Sequence, residues 1–118
     1  RYHEIYQPHV DKGFAKASSD KSISQFDIAP NVAVVVEDNL EVAYNMLRPM
    51  LSLYIGGMGA KGHNFYNDLA VRYGFAEAAE KIQDLYLSGK KGEAMMAVPS
   101  ALIDEVALVG PKERIKER

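Results

Sequence analysis

Cysteine is absent from the 118-residue sequence. The chain therefore forms no disulfide, thiolate zinc site or iron–sulfur cluster, and it offers no thiol nucleophile. Neither sign of charge is in large surplus: the formal net charge is -2, whereas nucleic-acid modules usually carry a basic surplus. No apolar run approaches the roughly 20 residues of a membrane helix. We therefore expect no nucleic-acid partner, no membrane association and a cytoplasmic location.

Two short apolar stretches predict β-strands. One spans residues 28–36 and is rich in valine, and the other spans residues 105–109. β-branched residues favour strands, and both stretches are too short for a typical helix. The valines at 34–36 do not alternate with polar residues, so we expect both faces of the first strand to be covered, as in a parallel sheet. Helix-start signals follow each strand at once, the order typical of α/β proteins.

The strand content indicates a segment of a larger α/β domain. Two strands cannot build a parallel core that is covered on both faces, since the usual sheet has about five or six strands. The sequence has no initiating methionine, and the helix predicted over residues 111–118 has no capping residue at its end. The alternating charges at 112–118 predict a solvated helix face.

The helical spacing of apolar residues predicts a helix in the N-terminal region. The first helix should begin near Pro8, because proline suits a first helical turn, and residues 18–20 should end it. Residues 21–27 then read as a polar connection in which Ile23 and Phe26 are buried.

A further helix should follow the first strand directly. Asp38 or Asn39 suits its N-cap, and Glu41 suits the positive end of the helix dipole. Pro49 lies inside the same periodic pattern, so we expect it to kink the helix or split it. Pro99 should open another helix at its first turn. Helices are also predicted over residues 64–73, 76–87 and 91–98.

Acidic pairs and histidines indicate neither a carboxylate pair for catalysis nor a metal site. Asp104 and Glu105 are neighbours whose side chains point to different sides, and we interpret them as a polar lead into the second strand. His3 and His9 are six residues apart, not the three or four that places two ligands on one helix face.

A glycine-rich segment at residues 57–62 matches the G-x-G-x-x-G pattern of dinucleotide-binding loops. That site also needs a strand before the loop and a second strand after the next helix, whereas helical patterns lie on both sides here. A loop that breaks a helix is therefore the favoured interpretation. His63 beside the loop could hydrogen-bond a substrate, and an ordinary loop histidine is the alternative.

The ends of the two predicted strands are the clearest ligand-binding position. Ligands of α/β folds bind at the carboxyl ends of parallel strands, which are residues 37–39 and 110–112 here. Gly110, Pro111 and Lys112 combine a glycine turn, a helix start and a cation, which is typical of an anion site. A simple turn from strand to helix explains the same three residues equally well.

Several motifs resemble one known family. Residues 53–59 (LYIGGMG) and 64–70 (NFYNDLA) are similar to the luciferase-like monooxygenase superfamily, and more narrowly to its coenzyme F420-dependent (deazaflavin) oxidoreductases. Residues 26–30 (FDIAP), 81–86 (KIQDLY) and 103–111 (IDEVALVGP) resemble the same branch. The resemblance covers nearly the whole chain.

The resemblance implies a (β/α)8 barrel enzyme roughly three times as long as this chain. Residues 1–118 would be a C-terminal fragment of it, with a helical insertion at about residues 50–103. The implied activity is hydride transfer or monooxygenation of a small-molecule substrate. Coenzyme F420, or FMN as the alternative, would be held mostly by residues outside this chain. Insertions in this family commonly help two copies to dimerise, so a homo-oligomer is expected.

The expected site residues within this chain form two groups. The cofactor contacts are Gly110, Pro111 and Lys112. The substrate-loop candidates are Gly57, Met58, Gly59, His63 and Asn64. We expect the chain alone to be inactive and to associate, because a partial barrel leaves strand edges and apolar helix faces exposed. The alternative function is a helical dimerisation module that binds no cofactor.

Overall fold

The computed structural model describes residues 2–17 and 21–118, which fall into two compact units, Arg1–Asn31 and Val32–Arg118. The first unit contains α1 (Tyr2–Ile5), α2 (Gln7–Lys16) and a short 3-10 turn at Ile23–Gln25. Pro8 lies in the first turn of α2, as predicted, because an amide hydrogen would have no helical partner there. The predicted helix end at residues 18–20 lies outside the described residues.

The expected burial of Ile23 and Phe26 is wrong. Their side chains are 48% and 50% exposed, and no described residue of the first unit is buried. Phe26 meets Phe14 edge to face, with 5.7 Å between ring centroids. Two short helices and a turn have no sheet or helix layer of their own against which an apolar side chain could be enclosed.

The second unit consists of a two-stranded sheet and helices, most of which lie between the two strands along the chain. Along the chain it contains β1 (Ala33–Val36), α3 (Leu40–Ser52), a π-helix (Leu53–Gly57), α4 (Phe65–Arg72), α5 (Ala76–Leu87), α6 (Lys91–Met96), α7 (Ser100–Val106), β2 (Ala107–Gly110) and α8 (Lys112–Glu117). The predicted helices between the strands are therefore confirmed, with small changes at their ends. That these helices form an insertion in a larger domain stays a prediction.

The two strands pair in parallel, with Ala33 opposite Ala107 and Val36 opposite Gly110. This pairing confirms the predicted parallel strands, but both predicted ranges start too early. Residues 28–32 are not part of the ladder, because β2 offers only four residues to pair with. Residues 105 and 106 are helical, so the second strand starts only at Ala107.

The interpretation of Asp104 and Glu105 as a polar lead into a strand is wrong, because both lie in α7. Pro99 has an extended conformation (ψ 143°) and stands directly before this helix, so it opens the helix as predicted. The helix continues through Val106 and buries Leu102 and Ile103, while the carboxylate of Asp104 accepts hydrogen bonds from three side chains of α3 and of the C-terminal end of the chain.

Among the described residues, only one face of β1 is covered. Ala33 and Val35 pack against the core, whereas Val34 and Val36 are 55% and 67% exposed. The expectation that both faces of β1 are covered is therefore wrong for the described residues. The helix that packs on β1 is α3, and it lies on the face that carries Ala33 and Val35.

The predicted N-cap of α3 is confirmed as Asn39, whose side-chain oxygen accepts from the amides of Glu41 and Val42 at 3.1 and 3.2 Å. Pro49 does not split the helix, which continues to Ser52 and then widens into the π-helix. A proline costs one backbone hydrogen bond. Burial of one face of the helix offsets that cost, because Ala43, Tyr44 and Leu47 of α3 belong to the buried apolar core.

The core of the second unit joins the sheet to the helices that follow it. Its largest fully buried apolar side chains are Ile82, Val98, Leu102, Ile103 and Val109. Among the described residues, no helix has both the length and the apolar composition that crossing a membrane requires.

We predict that Leu102→Ala lowers the free energy of unfolding by about 2–5 kcal/mol, the range for truncation of a buried leucine. Leu102 is 2% exposed, so the truncation leaves a cavity in the core. Leu87→Ala is the control, since Leu87 ends α5 and is 51% exposed. Urea unfolding of both variants measures the difference, and equal losses would contradict the described core.

Candidate functional site

The two groups of predicted site residues lie at opposite ends of α3. Leu40, at the start of α3, is next to Gly110 at the end of β2. Further along the helix, Arg48 donates to the carbonyl oxygen of Val98 at 3.3 Å. Gly57 follows Leu40 by 17 residues, which corresponds to about 25 Å along a helix axis. The strand ends and the glycine loop therefore cannot contact the same small group.

The strand ends form one continuous edge, which we call the strand-end edge and define as residues 37–39 and 110–112. The backbone amide of Glu37 donates to the carbonyl oxygen of Gly110 at 3.1 Å and so extends the ladder by one bond. The side chain of Glu37 accepts from the amide of Asn39 at 2.9 Å. The predicted cofactor residues Gly110, Pro111 and Lys112 are thus beside the end of β1, and Lys112 is exposed.

Gly110 is required by the backbone at this edge. Its φ is +115°, a conformation that side-chain-bearing residues rarely adopt. The space beside it is also filled, because a Cβ would lie 3.0 Å from Cδ of Arg114. The glycine therefore shapes the turn, and the chain reverses from β2 into α8 without a longer loop.

A group of four polar side chains adjoins this edge through Arg114, which contacts Gly110. We call it the Asp104 cluster, and its members are Tyr44, Asp104, Arg114 and Arg118. Tyr44 donates its hydroxyl hydrogen to Oδ2 of Asp104 at 2.9 Å. Nη2 of Arg114 donates to both carboxylate oxygens at 2.9 and 3.0 Å, and Nη1 of Arg118 donates to Oδ1 at 2.6 Å. The cluster joins α3, α7 and the C-terminal segment through one carboxylate.

The hydrogen bonds of this cluster shift the ionisation of its members. Burial alone would raise the pKa of the Asp104 carboxyl, but hydrogen bonds from Arg114, Tyr44 and Arg118 outweigh burial and lower that pKa. Burial and the bond to Asp104 raise the pKa of the Tyr44 hydroxyl. The hydrogen bond to Asp104 likewise raises the pKa of Arg114. Asp104 is therefore a fixed anion at neutral pH.

No pattern in the sequence predicts the Asp104 cluster. The charges at 112–118 were expected to form a solvated face, and that expectation is wrong for Arg114, whose side chain is 26% exposed and ion-paired with Asp104. The contact between Tyr44 and Asp104 spans 60 positions of the chain. Only the one-turn spacing of Arg114 and Arg118 could have suggested that both face the same partner.

The glycine loop at the other end of α3 is packed tightly against α5. A Cβ at Gly57 would lie 2.4 Å from Cε1 of Tyr86, and a Cβ at Gly56 would lie 2.5 Å from the Cβ of Tyr86. A Cβ at Gly59 would lie 2.3 Å from the carbonyl oxygen of His63. These glycines permit close approach of the backbone, so their presence needs no bound phosphate.

Asn64 secures the same loop with four hydrogen bonds. Its Nδ2 donates to the carbonyl oxygens of Tyr54 and Ile55, both at 3.0 Å. Its Oδ1 accepts from the amides of Tyr66 and Asn67 at 3.0 and 3.1 Å and so caps α4. Asn64 is 1% exposed, and its amide already has partners on both atoms. The side chain therefore serves the fold of the loop.

The remaining substrate-loop candidates are more open. Met58 and His63 are exposed. The loop itself is attached to α5 by an ion pair between Lys61 and Asp84 and by a 3.3 Å bond from Gln83 Nε2 to the carbonyl oxygen of Gly59. Contact of Met58 or His63 with a substrate stays a prediction. Across residues 2–17 and 21–118, no group of three or more possible metal ligands comes together.

A dinucleotide site at residues 57–62 finds no support in this arrangement. The residues before the loop form the π-helix rather than a strand, and Gly57 is the last residue of that helix. The next two elements, α4 and α5, are helices. The favoured interpretation, a loop that ends one helix and begins another, agrees with the structure.

Comparison with known proteins gives one family and one relative. The profile of the luciferase-like monooxygenase family matches residues 2–118. A Mycobacterium tuberculosis protein named "putative coenzyme F420-dependent oxidoreductase" is 32% identical over 114 residues. The aligned part is 97% of this chain and 33% of that protein, in its C-terminal portion. The chain thus spans about a third of the curated relative. No solved structure matches it.

We predict that Asn64→Asp lowers the free energy of unfolding by about 1–3 kcal/mol, the usual cost of leaving buried polar groups unpaired. The aspartate can still cap α4, but it cannot donate to Tyr54 and Ile55 and it places a charge beside their carbonyl oxygens. Asn39→Asp is the matched control, because Asn39 caps α3 through the same two kinds of acceptor bond and is exposed. Similar losses in urea unfolding would contradict the role of Asn64.

We predict that Asp104→Asn weakens the fold at neutral pH by about 1–3 kcal/mol, since it removes a charge-assisted group from three partners. Because the pKa of Asp104 is lowered in the folded state, its stabilisation is present above the ordinary carboxyl pKa and is lost as pH falls through the lowered value. The variant should therefore lose less stability between neutral pH and acid than the parent chain does.

The control for this prediction is Glu105→Gln, which changes the adjacent, exposed carboxylate of the same helix. Unfolding curves recorded at several pH values below neutral measure both variants. If Asp104→Asn and Glu105→Gln follow the same pH dependence, the Asp104 cluster does not stabilise the fold.

Proposed function

Because this chain belongs to the luciferase-like monooxygenase family, we propose that it is part of an oxidoreductase that uses a deazaflavin or flavin to act on a small-molecule substrate. The reaction class is hydride transfer or monooxygenation. The name of the Mycobacterium tuberculosis relative supports coenzyme F420 as the first choice, with FMN as the alternative. We also propose a cytoplasmic location.

The structural observation that supports this proposal is the parallel pairing of β1 and β2. Their carboxyl ends lie side by side, because Val36 is opposite Gly110. In α/β barrels the bound ring lies at this end of the strands. The strand-end edge is therefore the part of the chain that we assign to the cofactor, and the barrel that would surround it is part of the proposal.

The residues at the strand-end edge fit one wall of such a site. The turn at Gly110 brings the backbone of residues 110–112 level with the end of β1, and Lys112 adds an exposed cation there. When bound, a reduced deazaflavin or flavin supplies the hydride. The chain's own part is to hold the strand ends in place and to present Lys112 to an anionic part of the cofactor.

The glycine loop enters the proposal separately. It lies at the far end of α3, about 25 Å along the helix axis from the strand-end edge. We therefore do not assign it to the same group as Lys112. Its predicted contact with substrate would require a substrate-bearing surface formed by another part of the protein or by another copy.

We predict that the complete gene product containing this chain binds coenzyme F420 more tightly than FMN when titrated by visible absorbance. The 118-residue chain alone should bind neither with comparable affinity and should catalyse no hydride transfer, because most of the cofactor contacts are proposed to lie outside it. A complete gene product that binds neither compound would contradict the proposal.

A charge substitution tests the strand-end edge within the same titration. Lys112→Ala should weaken cofactor binding about threefold to tenfold at low salt, and added salt should reduce the difference because exposed charges are screened. Lys116→Ala is the control, since Lys116 is also exposed and lies one turn further along α8. Equal effects of the two variants would remove Lys112 from the site.

A second proposal concerns association between copies of this chain. The alternative function, a helical dimerisation module, also requires such association. One side of α3 and its extension carries exposed apolar side chains at Val42, Met46, Met50 and Leu53. Their spacings of four, four and three residues place them on the same helix face. We propose that this face contacts a second copy, because apolar helix stripes are normally covered.

We predict that Met46→Glu shifts the chain toward monomer in sedimentation velocity at micromolar concentration, because a carboxylate would be desolvated in the contact. Met46 is 61% exposed, and the control Met96→Glu changes a methionine that is 70% exposed on α6. A wild-type chain that is monomeric throughout, or an equal shift in both variants, would contradict this contact.

A further inference from the structure

The turn at the end of β2 is enclosed by two side chains from different helices. A Cβ at Gly110 would lie 3.0 Å from Cδ of Arg114 and 3.1 Å from Cδ1 of Leu40. The aliphatic stem of Arg114 therefore crosses directly over the turn that α8 leaves. Arg114 is not an outward-facing charge of a solvated helix, because its stem packs against the turn at Gly110.

The guanidinium of Arg114 then reaches three further elements. Its Nη1 donates to the carbonyl oxygen of Val109 in β2. Its Nη2 donates to both carboxylate oxygens of Asp104 and lies 3.4 Å from the hydroxyl oxygen of Tyr44. A planar fork with fixed donor directions can hold a carbonyl and a carboxylate at once, whereas a lysine ammonium is a single charge on a flexible stem.

The two peptide groups that flank Gly110 are consequently each held by a hydrogen bond. Arg114 holds the carbonyl oxygen of Val109, and the amide of Glu37 holds the carbonyl oxygen of Gly110 at 3.1 Å. With both peptide planes fixed, the direction in which Pro111 and Lys112 leave the sheet is fixed as well.

We propose that Arg114 is a positioning residue, which holds the strand-end edge in the conformation that meets the cofactor. This inference rests on the proposed function of that edge. Arg114 acts through the carbonyl oxygen of Val109 and the stem contact at Gly110. Arg118 donates to the carboxylate and to the carbonyl oxygen of Asp104, whereas Arg114 also donates to the carbonyl oxygen of Val109, so the two arginines separate positioning from simple stabilisation.

The experiment compares Arg114→Lys with Arg118→Lys in the complete gene product. Urea unfolding is measured first, and titrations are made where each protein is fully folded. Arg114→Lys should weaken binding of F420, or of FMN if that is the compound bound, at least fivefold, whereas Arg118→Lys should change it less than twofold. Amide hydrogen exchange at Gly110 and Lys112 should accelerate in Arg114→Lys alone.

The exchange measurement needs no cofactor, so it distinguishes the two ways of failing. If the parent protein binds neither cofactor, the proposed function is wrong, and exchange still shows whether Arg114 holds the turn. If the parent binds but both lysine variants lose affinity equally, or exchange at the turn is unchanged, the positioning role is wrong. Should Arg114→Lys not fold, Asp104→Asn replaces it, since it removes the anchor of Arg114 and should likewise accelerate exchange at Gly110.

Discussion

The parallel ladder between β1 and β2 is the constraint on which the rest of the second unit depends. Its register places Val36 opposite Gly110, although residues 37–106 lie between the two strands. Closing so long a connection costs conformational entropy, which grows with loop length. The helices between the strands offset that cost by burying Ile82, Leu102 and Ile103. The ladder therefore depends on the helical core that the connecting segment forms.

The local signals in the sequence predicted most of the elements correctly. Asn39 and Pro99 are examples, because capping and proline geometry depend on adjacent residues only. Strand length was less predictable. The apolar stretch at 28–36 looks uniform, but a residue joins a ladder only where a partner strand exists, and β2 supplies partners for residues 33–36 alone. Pro49 shows that a local signal can also mislead. A proline inside a helical pattern favours a break, but α3 continues past Pro49 to Ser52 because one of its faces is buried in the core.

The candidate site was only partly accessible to sequence reasoning. Gly110 could be predicted, because a glycine directly after a buried strand indicates a turn with positive φ. The partners of Asp104 could not, since they come from three separate segments of the chain and their charges resemble those of any surface helix. Likewise, nothing local distinguishes Asn64 from Asn39 as a cap, and only the fold brings Tyr54 and Ile55 within reach of its amide.

The π-helix at Leu53–Gly57 bears on how related sequences should be aligned. A π-turn bonds each amide to the carbonyl oxygen of the fifth residue before it, so each hydrogen-bonded turn encloses one residue more than in an α-helix, where the bond reaches the fourth residue. A relative that lacks one residue here could close the segment into an ordinary α-helix while its flanking helices keep their packing. Single-residue gaps at this point would then mark where homologues differ in helix geometry, and the glycine loop after it would be rotated around the helix axis.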